Sequence, residues 1–167
     1  MPLSIKYEQI TRKLTLMIKI SAVGKKHEAM YEMALTHFEK RLSQWQRIEW
    51  IILPPSGNGT DQARSEESSH ILHRLNSKDF VILLDEQGQQ VTSPQVADHI
   101  EKAQVISRQI VCVIGGAFGV DEQLKARADV VVSFGKVVFP HQLIRVMLTE
   151  QLYRAYSILA GSGYHHL

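Results

Sequence analysis

Two groups of residues have types and spacings that could do chemistry. The first lies between Gln109 and His141, QIVCVIGGAFGVDEQLKARADVVVSFGKVVFPH. Here Gly115, Gly116 and Gly119 follow an apolar run, and Gly135, Lys136, Val137, Val138, Phe139 and Pro140 form a loop ending at His141. Glycine directly after a buried strand lets a ligand approach the backbone, because no Cβ stands in the way. The second group lies further on: Arg145, Arg154 and the tail Tyr164-His165-His166. Guanidinium suits phosphates and base edges. An aromatic ring stacks on a splayed base, and imidazole changes charge near neutrality.

Three kinds of nucleotide site compete for the glycines. A dinucleotide site needs G-x-G-x-x-G and a carboxylate at the end of the next strand, about 20 residues on. The chain has GGxxG instead, and the next apolar run ends in Ser133-Phe134-Gly135 without an acid. A P-loop needs Gly-Lys followed by Ser or Thr, whereas Gly135-Lys136 precedes Val137. An adenosine group with a sulfonium and an amino-acid tail fits better. It carries no phosphate, so it needs no helix N-terminus rich in amides. It asks for close-approaching glycine loops and apolar walls, which Gly115-Gly116, Leu84-Asp85 and the 135–140 loop supply. The cofactor expected is therefore S-adenosyl-L-methionine. A nucleophile elbow, G-x-S-x-G, does not occur.

Other reactive side chains carry plainer readings beside the chemical ones. Cys112, the single cysteine, sits in the apolar run IVCVI and reads as a small buried hydrophobe. One cysteine excludes an intramolecular disulfide and fits a reducing cytosol. His70 and His73 stand three apart near Glu66, but nothing completes a ligand set, so no metal is expected. Arg145 and Arg154 are either helix-surface charge, with Glu150 four residues before Arg154 as a partner, or contacts to phosphate and base. Tyr153 is interface packing or site wall. His141 is a helix-start residue or a site residue. Gly115 and Gly119 either shape a turn or admit a ligand.

The elements that must position these groups alternate along the chain. Alternation or continuous apolar character predicts strands over 18–23, 48–53, 80–84, 110–114 and 130–134. Helical spacing predicts a helix over 28 to about 44, with Met30, Met33, Ala34, Phe38 and Leu42 as its apolar face. A weakly apolar helix over 62 to about 75 is capped by Thr60 or Asp61. Ser93 and Pro94 start a third helix, reaching about 104. Residues 120–128 form a short helix. Residues 141 to about 160 form the longest, with Leu143, Ile144, Met147, Leu148, Leu152 and Ala155 as its stripe. Asp85-Glu86-Gln87-Gly88 is read as a turn. The pattern predicts an α/β fold, a mostly parallel sheet with helices on both faces. Ligands of such sheets bind beyond the carboxyl ends of the strands. Residues 17–167 are read as one domain. Residues 1–16 are read as an N-terminal extension, or as chain preceding a natural start at Met17.

The 167 residues suffice for a substantial core, and 44% hydrophobic with 22% charged residues is ordinary for a globular domain. No stretch is apolar enough to span a bilayer or to act as a signal peptide, so the expected location is cytoplasmic. A net charge of +2 does not make the whole chain a polyanion binder. A polynucleotide would need a local basic patch, or one assembled across subunits.

Five motifs taken in order carry a more specific signal. They are Leu84-Asp85 with Gly88, Ile114-Gly115-Gly116-Ala117-Phe118-Gly119, Phe139-Pro140-His141-Gln142-Leu143-Ile144-Arg145, Glu150-Gln151-Leu152-Tyr153-Arg154-Ala155, and Tyr164-His165. From Met17 onward the chain resembles the RlmH family of SPOUT-class methyltransferases. The resemblance implies methylation of N3 of a pseudouridine in 23S ribosomal RNA, in the helix 69 loop of the assembled ribosome, with S-adenosyl-L-methionine as donor. It implies a C-terminal trefoil knot whose loops hold the cofactor. It also implies a homodimer with the knot helices at the interface.

Matched residue by residue, Leu84, Gly116 and Gly135, Lys136, Val137, Val138, Phe139 and Pro140 contact the cofactor, with Gly115 added as a neighbour. Arg154, Tyr164, His165 and His141 form the catalytic set. Tyr164 stacks on the target base. The imide proton goes to His165, His141 or water, with His165 preferred because its tail would lie over the base. His166 stands where the family carries Lys or Arg, which implies a weaker, pH-dependent phosphate contact. Two other readings remain: a cofactor- or ribosome-binding SPOUT module without catalysis, and a methyltransferase of another RNA.

Overall fold

The structure is a computed structural model that describes residues 17–106 and 108–165. The expectations for residues 1–16 and for His166 lie outside the described residues. The apolar runs form strands β1 (Ile18–Val23), β2 (Ile48–Leu53), β3 (Phe80–Gln90), β4 (Ile110–Ile114) and β5 (Val130–Ser133). They make one sheet in the order β2-β1-β4-β3-β5, and every pairing is parallel. β4 is buried at all five positions because it has a strand on each side and helices on both faces. That is why its sequence is continuously apolar rather than alternating.

Side chains alternate between the two faces of the sheet. Ile18, Ile20, Phe80, Ile82, Cys112 and Ile114 pack in one cluster, while Val23, Val81, Leu83, Val111 and Val113 pack in another. Three helices cover the first face: α1 (Ala29–Leu42), α3 (Ser93–Val105) and α5 (His141–Leu159). Two cover the second: α2 (Thr60–Leu72) and α4 (Glu122–Arg127). Cys112 is fully buried, and burial pushes its thiol up to about 12, so it packs as an apolar residue.

Four features differ from the sequence reading. Met30 and Met33 are 74% and 81% exposed. The face of α1 that packs inward carries Leu35, Phe38 and Leu42, at spacings of three and four. The first turn of α2 is capped by Gly59 without a side-chain bond, not by Thr60 or Asp61. Thr92, rather than Ser93, caps α3: its hydroxyl accepts from Gln95 N–H, and the Gln95 side chain accepts from Thr92 N–H at 2.8 Å. The sequence Asp85-Glu86-Gln87-Gly88 belongs to the long β3, whose register against β5 shifts between Leu84 and Gln89. Gly88 is required there by packing, since a Cβ would lie 2.8 Å from the Val131 and Val132 backbone.

Candidate functional site

The carboxyl ends of β3, β4 and β5 open into one cleft of about 850 Å³. Its walls include Leu84, Gly115, Gly116, Gly135, Val137, Val138, Phe139 and His141, so the structure gathers most of the expected cofactor residues in one place. Lys136 and Pro140 belong to the same loop but do not line the cleft. Both are exposed, and Pro140 is the N-cap of α5. Val137 and Val138 are 63% and 81% exposed, and Phe118 on the glycine turn is 44% exposed. Apolar side chains held open at the rim of a cleft fit a ligand or partner with an apolar face.

The glycines are explained first by the protein itself. A Cβ on Gly116 would lie 2.0 Å from Glu67 Oε2, and one on Gly115 would lie 2.7 Å from Val120 Cγ1. Glu67 comes from α2 and is only 4% exposed. Its Oε1 accepts from Ser56 N–H at 2.8 Å, and its Oε2 has no hydrogen-bond partner among the described residues. Sequence reasoning missed Glu67. The one signal for it was its place between Ala63 and Ile71 at spacings of four, on a helix otherwise poor in apolar residues.

The charge of the cleft decides what it can hold. Its lining carries five carboxylates, Asp61, Asp85, Glu86, Asp121 and Glu122, against two cations, Arg64 and Lys125. Arg64 lies 3.6 Å from Asp61, and Lys125 lies 3.5 Å from Glu122 and 3.9 Å from Asp85. The remaining acidic excess repels phosphate and favours a cation. A sulfonium with an ammonium-bearing tail matches that balance, and a dinucleotide does not.

His141 begins α5 at the cleft wall. Its pKa lies below the ordinary value, first because of burial and then because of Arg145, against opposing effects of Glu67 and of a hydrogen bond with the Gly115 backbone. It is therefore neutral at neutral pH and keeps a ring nitrogen able to accept a proton. Arg145 is 1% exposed, so it is neither surface charge nor a phosphate ligand as placed. Its Nη1 donates to the Lys25 carbonyl at 2.9 Å and lies 3.3 Å from His27 Nδ1, tying α5 to the loop after β1.

Arg154, Tyr164 and His165 do not line the cleft. They gather around Glu150 on α5. Arg154 Nε and Nη2 donate to Glu150 Oε1 at 2.9 and 2.5 Å, and the Tyr164 hydroxyl donates to the same oxygen at 3.1 Å. Arg154 Nη1 lies 3.4 Å from His165 Nδ1. When Arg154 donates there, the lone pair that a general base would use is occupied. Tyr153 is 4% exposed and packs 5.9 Å from Trp45 and 4.5 Å from Tyr164, so within one chain it is a core residue. A helix rises about 1.5 Å per residue, which puts His141 and Arg154 about 20 Å apart along α5.

Glu66 is occupied by the loop after β2 and by its own helix. It accepts from Ser56, Asn58 and Gln62 side chains, and the Ser56 bond is the first cause holding its carboxyl below the usual value. Among the described residues no three His, Cys, Asp or Glu side chains come together as a ligand set. No described helix is long and apolar enough to cross a membrane.

Known proteins resemble this chain over nearly its whole length. The family profile described as "Predicted SPOUT methyltransferase" matches residues 16–165. A protein of Oenococcus oeni named "Ribosomal RNA large subunit methyltransferase H" is 39% identical over 156 residues, covering 89% of this chain and 98% of the relative. Proteins of the same name from Christiangramia forsetii and Gloeobacter violaceus are 35% and 37% identical, each over 89% of this chain and 98% of the relative.

Proposed function

The chain belongs to the SPOUT methyltransferase family, and from that membership we propose that it methylates N3 of a pseudouridine in the helix 69 loop of 23S ribosomal RNA, on the assembled ribosome, with S-adenosyl-L-methionine as donor. The names of the relatives support ribosomal RNA as the acceptor. The observation that carries the cofactor is the acidic, apolar-rimmed cleft at the carboxyl ends of β3, β4 and β5. Leu84, Gly115, Gly116 and the 135–140 loop would hold the donor. When bound, it supplies an electrophilic methyl group on a sulfonium.

The protein's own part is alignment and proton transfer. A new N–C bond at N3 requires that the imide nitrogen give up its proton. Neutral His141 at the cleft wall is the better acceptor, since Arg154 covers the Nδ1 of His165. Tyr164 and Arg154 would meet the acceptor nucleotide. The distance between the cleft and the Glu150 cluster supports a homodimer in which the tail of one copy serves the cleft of the other. The half-buried Val146 and Met147 of α5 bound a groove of about 350 Å³ with Phe38 and Phe134, and an apolar groove on this helix suits such an interface. The segment carrying β4, β5 and α5 would form the trefoil knot of the family.

The test is incubation with ribosomes and methyl-labelled S-adenosylmethionine. Label in large-subunit RNA is expected. Cofactor binding without labelled RNA would leave only a binding module.

A further inference from the structure

The Glu150 cluster contains a second guanidinium that the sequence did not single out. Arg41, in the last turn of α1, places its Cζ 4.6 Å from the Tyr153 ring centroid and 4.9 Å from that of Tyr164. Arg154 Cζ lies 4.6 Å from the Tyr164 ring. Two cations thus flank one tail aromatic, but their donors are in different states. Arg154 spends Nε and Nη2 on Glu150 and turns Nη1 to His165. Its charge is also offset by the ion pair. Arg41 is exposed, and among the described residues its guanidinium makes no hydrogen bond or ion pair.

Stacking uses the face of a guanidinium and leaves its in-plane N–H groups directed outward. A cation held beside two aromatic rings, with its donors unspent among the described residues, is preorganised for an anion. The neighbouring Lys40 and the exposed Arg47 give that end of α1 the same sign. The only ring flanked by both guanidiniums among the described residues is Tyr164. An anion bound at Arg41 would therefore sit beside the Tyr164 ring.

We propose that Arg41 is a further substrate-binding residue: its guanidinium takes a backbone phosphate of the acceptor RNA beside the Tyr164 ring, while Arg154 holds the tail in place. This rests on the reading of RNA as the acceptor. It moves the phosphate contact from Arg154, which is paired with Glu150 inside the protein, to a residue on another helix.

The test compares the full chain with Arg41→Ala and Arg41→Lys. Ribosome binding and methylation are measured over a range of salt, alongside S-adenosylmethionine affinity and the unfolding midpoint. Arg41→Ala should weaken ribosome binding, and raise the KM for ribosomes, about tenfold, with kcat, cofactor affinity and midpoint held. The slope of log affinity against log salt should become shallower by about 0.7 to 0.9, the value of one phosphate contact. Arg41→Lys should restore the slope and part of the affinity. Wild-type affinity and slope in Arg41→Ala would overturn the proposal. So would parallel losses of cofactor affinity and midpoint, which would mark a structural role. A wild-type chain that binds ribosomes without methylating them would sink the proposed activity. The binding comparison would still decide the role of Arg41.

Discussion

At Gly116 the demand for a missing side chain comes from inside the protein. Glu67 Oε2 fills the space a Cβ would need, at 2.0 Å. Gly116→Ala should therefore lower stability by about 1–3 kcal/mol, the usual cost of overpacking. Thermal unfolding without cofactor measures it. An unchanged midpoint would show that the glycine serves the ligand alone. The need for glycine was legible in the sequence, but its cause was not, because Glu67 lies 49 residues earlier on another element.

His141 gives the pH dependence. Its native pKa is below the ordinary 6.5, as are those of His27 and His99. For each, the unfolded chain takes up a proton first as pH falls. Their contribution to stability is full above about pH 6.5 and is lost as pH drops through the lowered native values. Catalysis should follow the same sign if His141 is the base, rising with pH through its lowered value and flat above 6.5. His141→Gln should cut kcat by about 10²–10⁴-fold and abolish that rise. An unaltered pH profile would return the role to His165 or water.

The helices were the harder elements to read. In α1 two interleaved apolar stripes have nearly the same period, and Met30 and Met33 belong to the one that faces solvent. Only packing against α5, through Phe38 and Leu42, chooses Leu35 over Met33. In α2 the buried face is Ala63, Glu67, Ser68 and Ile71, too polar to announce itself. β4 and the first half of β3 were plain because burial on both faces leaves no polar positions to confuse them, whereas the polar second half of β3 read as a turn. Arg145 is the case where an element depends on a charge it hides. Arg145→Ala should cost about 3 kcal/mol, since it opens a cavity and leaves the Lys25 carbonyl without its donor. Arg145→Met, which keeps the volume, should cost less than half as much. Chemical denaturation of both variants separates packing from bonding; equal losses would mean the hydrogen bond dominates.

Across the whole molecule the chemistry divides in two. The cleft at the sheet's carboxyl end is acidic and apolar, and it suits a cationic donor. The Glu150 cluster is aromatic and carries two guanidiniums, which suits a nucleotide. The sequence placed both groups in order along the chain, and the parallel sheet and the cleft followed from strand patterning. What it did not carry was their separation along α5, which depends on where the tail folds back. The unspent donors of Arg41 were equally hidden, because they are visible only once Arg154 is seen bound to Glu150.

The most direct measurement is the position of the methyl group after reaction with ribosomes. RNA digested to nucleosides and sequenced at the modified site should show one methyl, on N3 of one pseudouridine in the helix 69 loop of 23S RNA. A methyl on any other nucleotide or atom, or none despite bound S-adenosylmethionine, would contradict the proposed function.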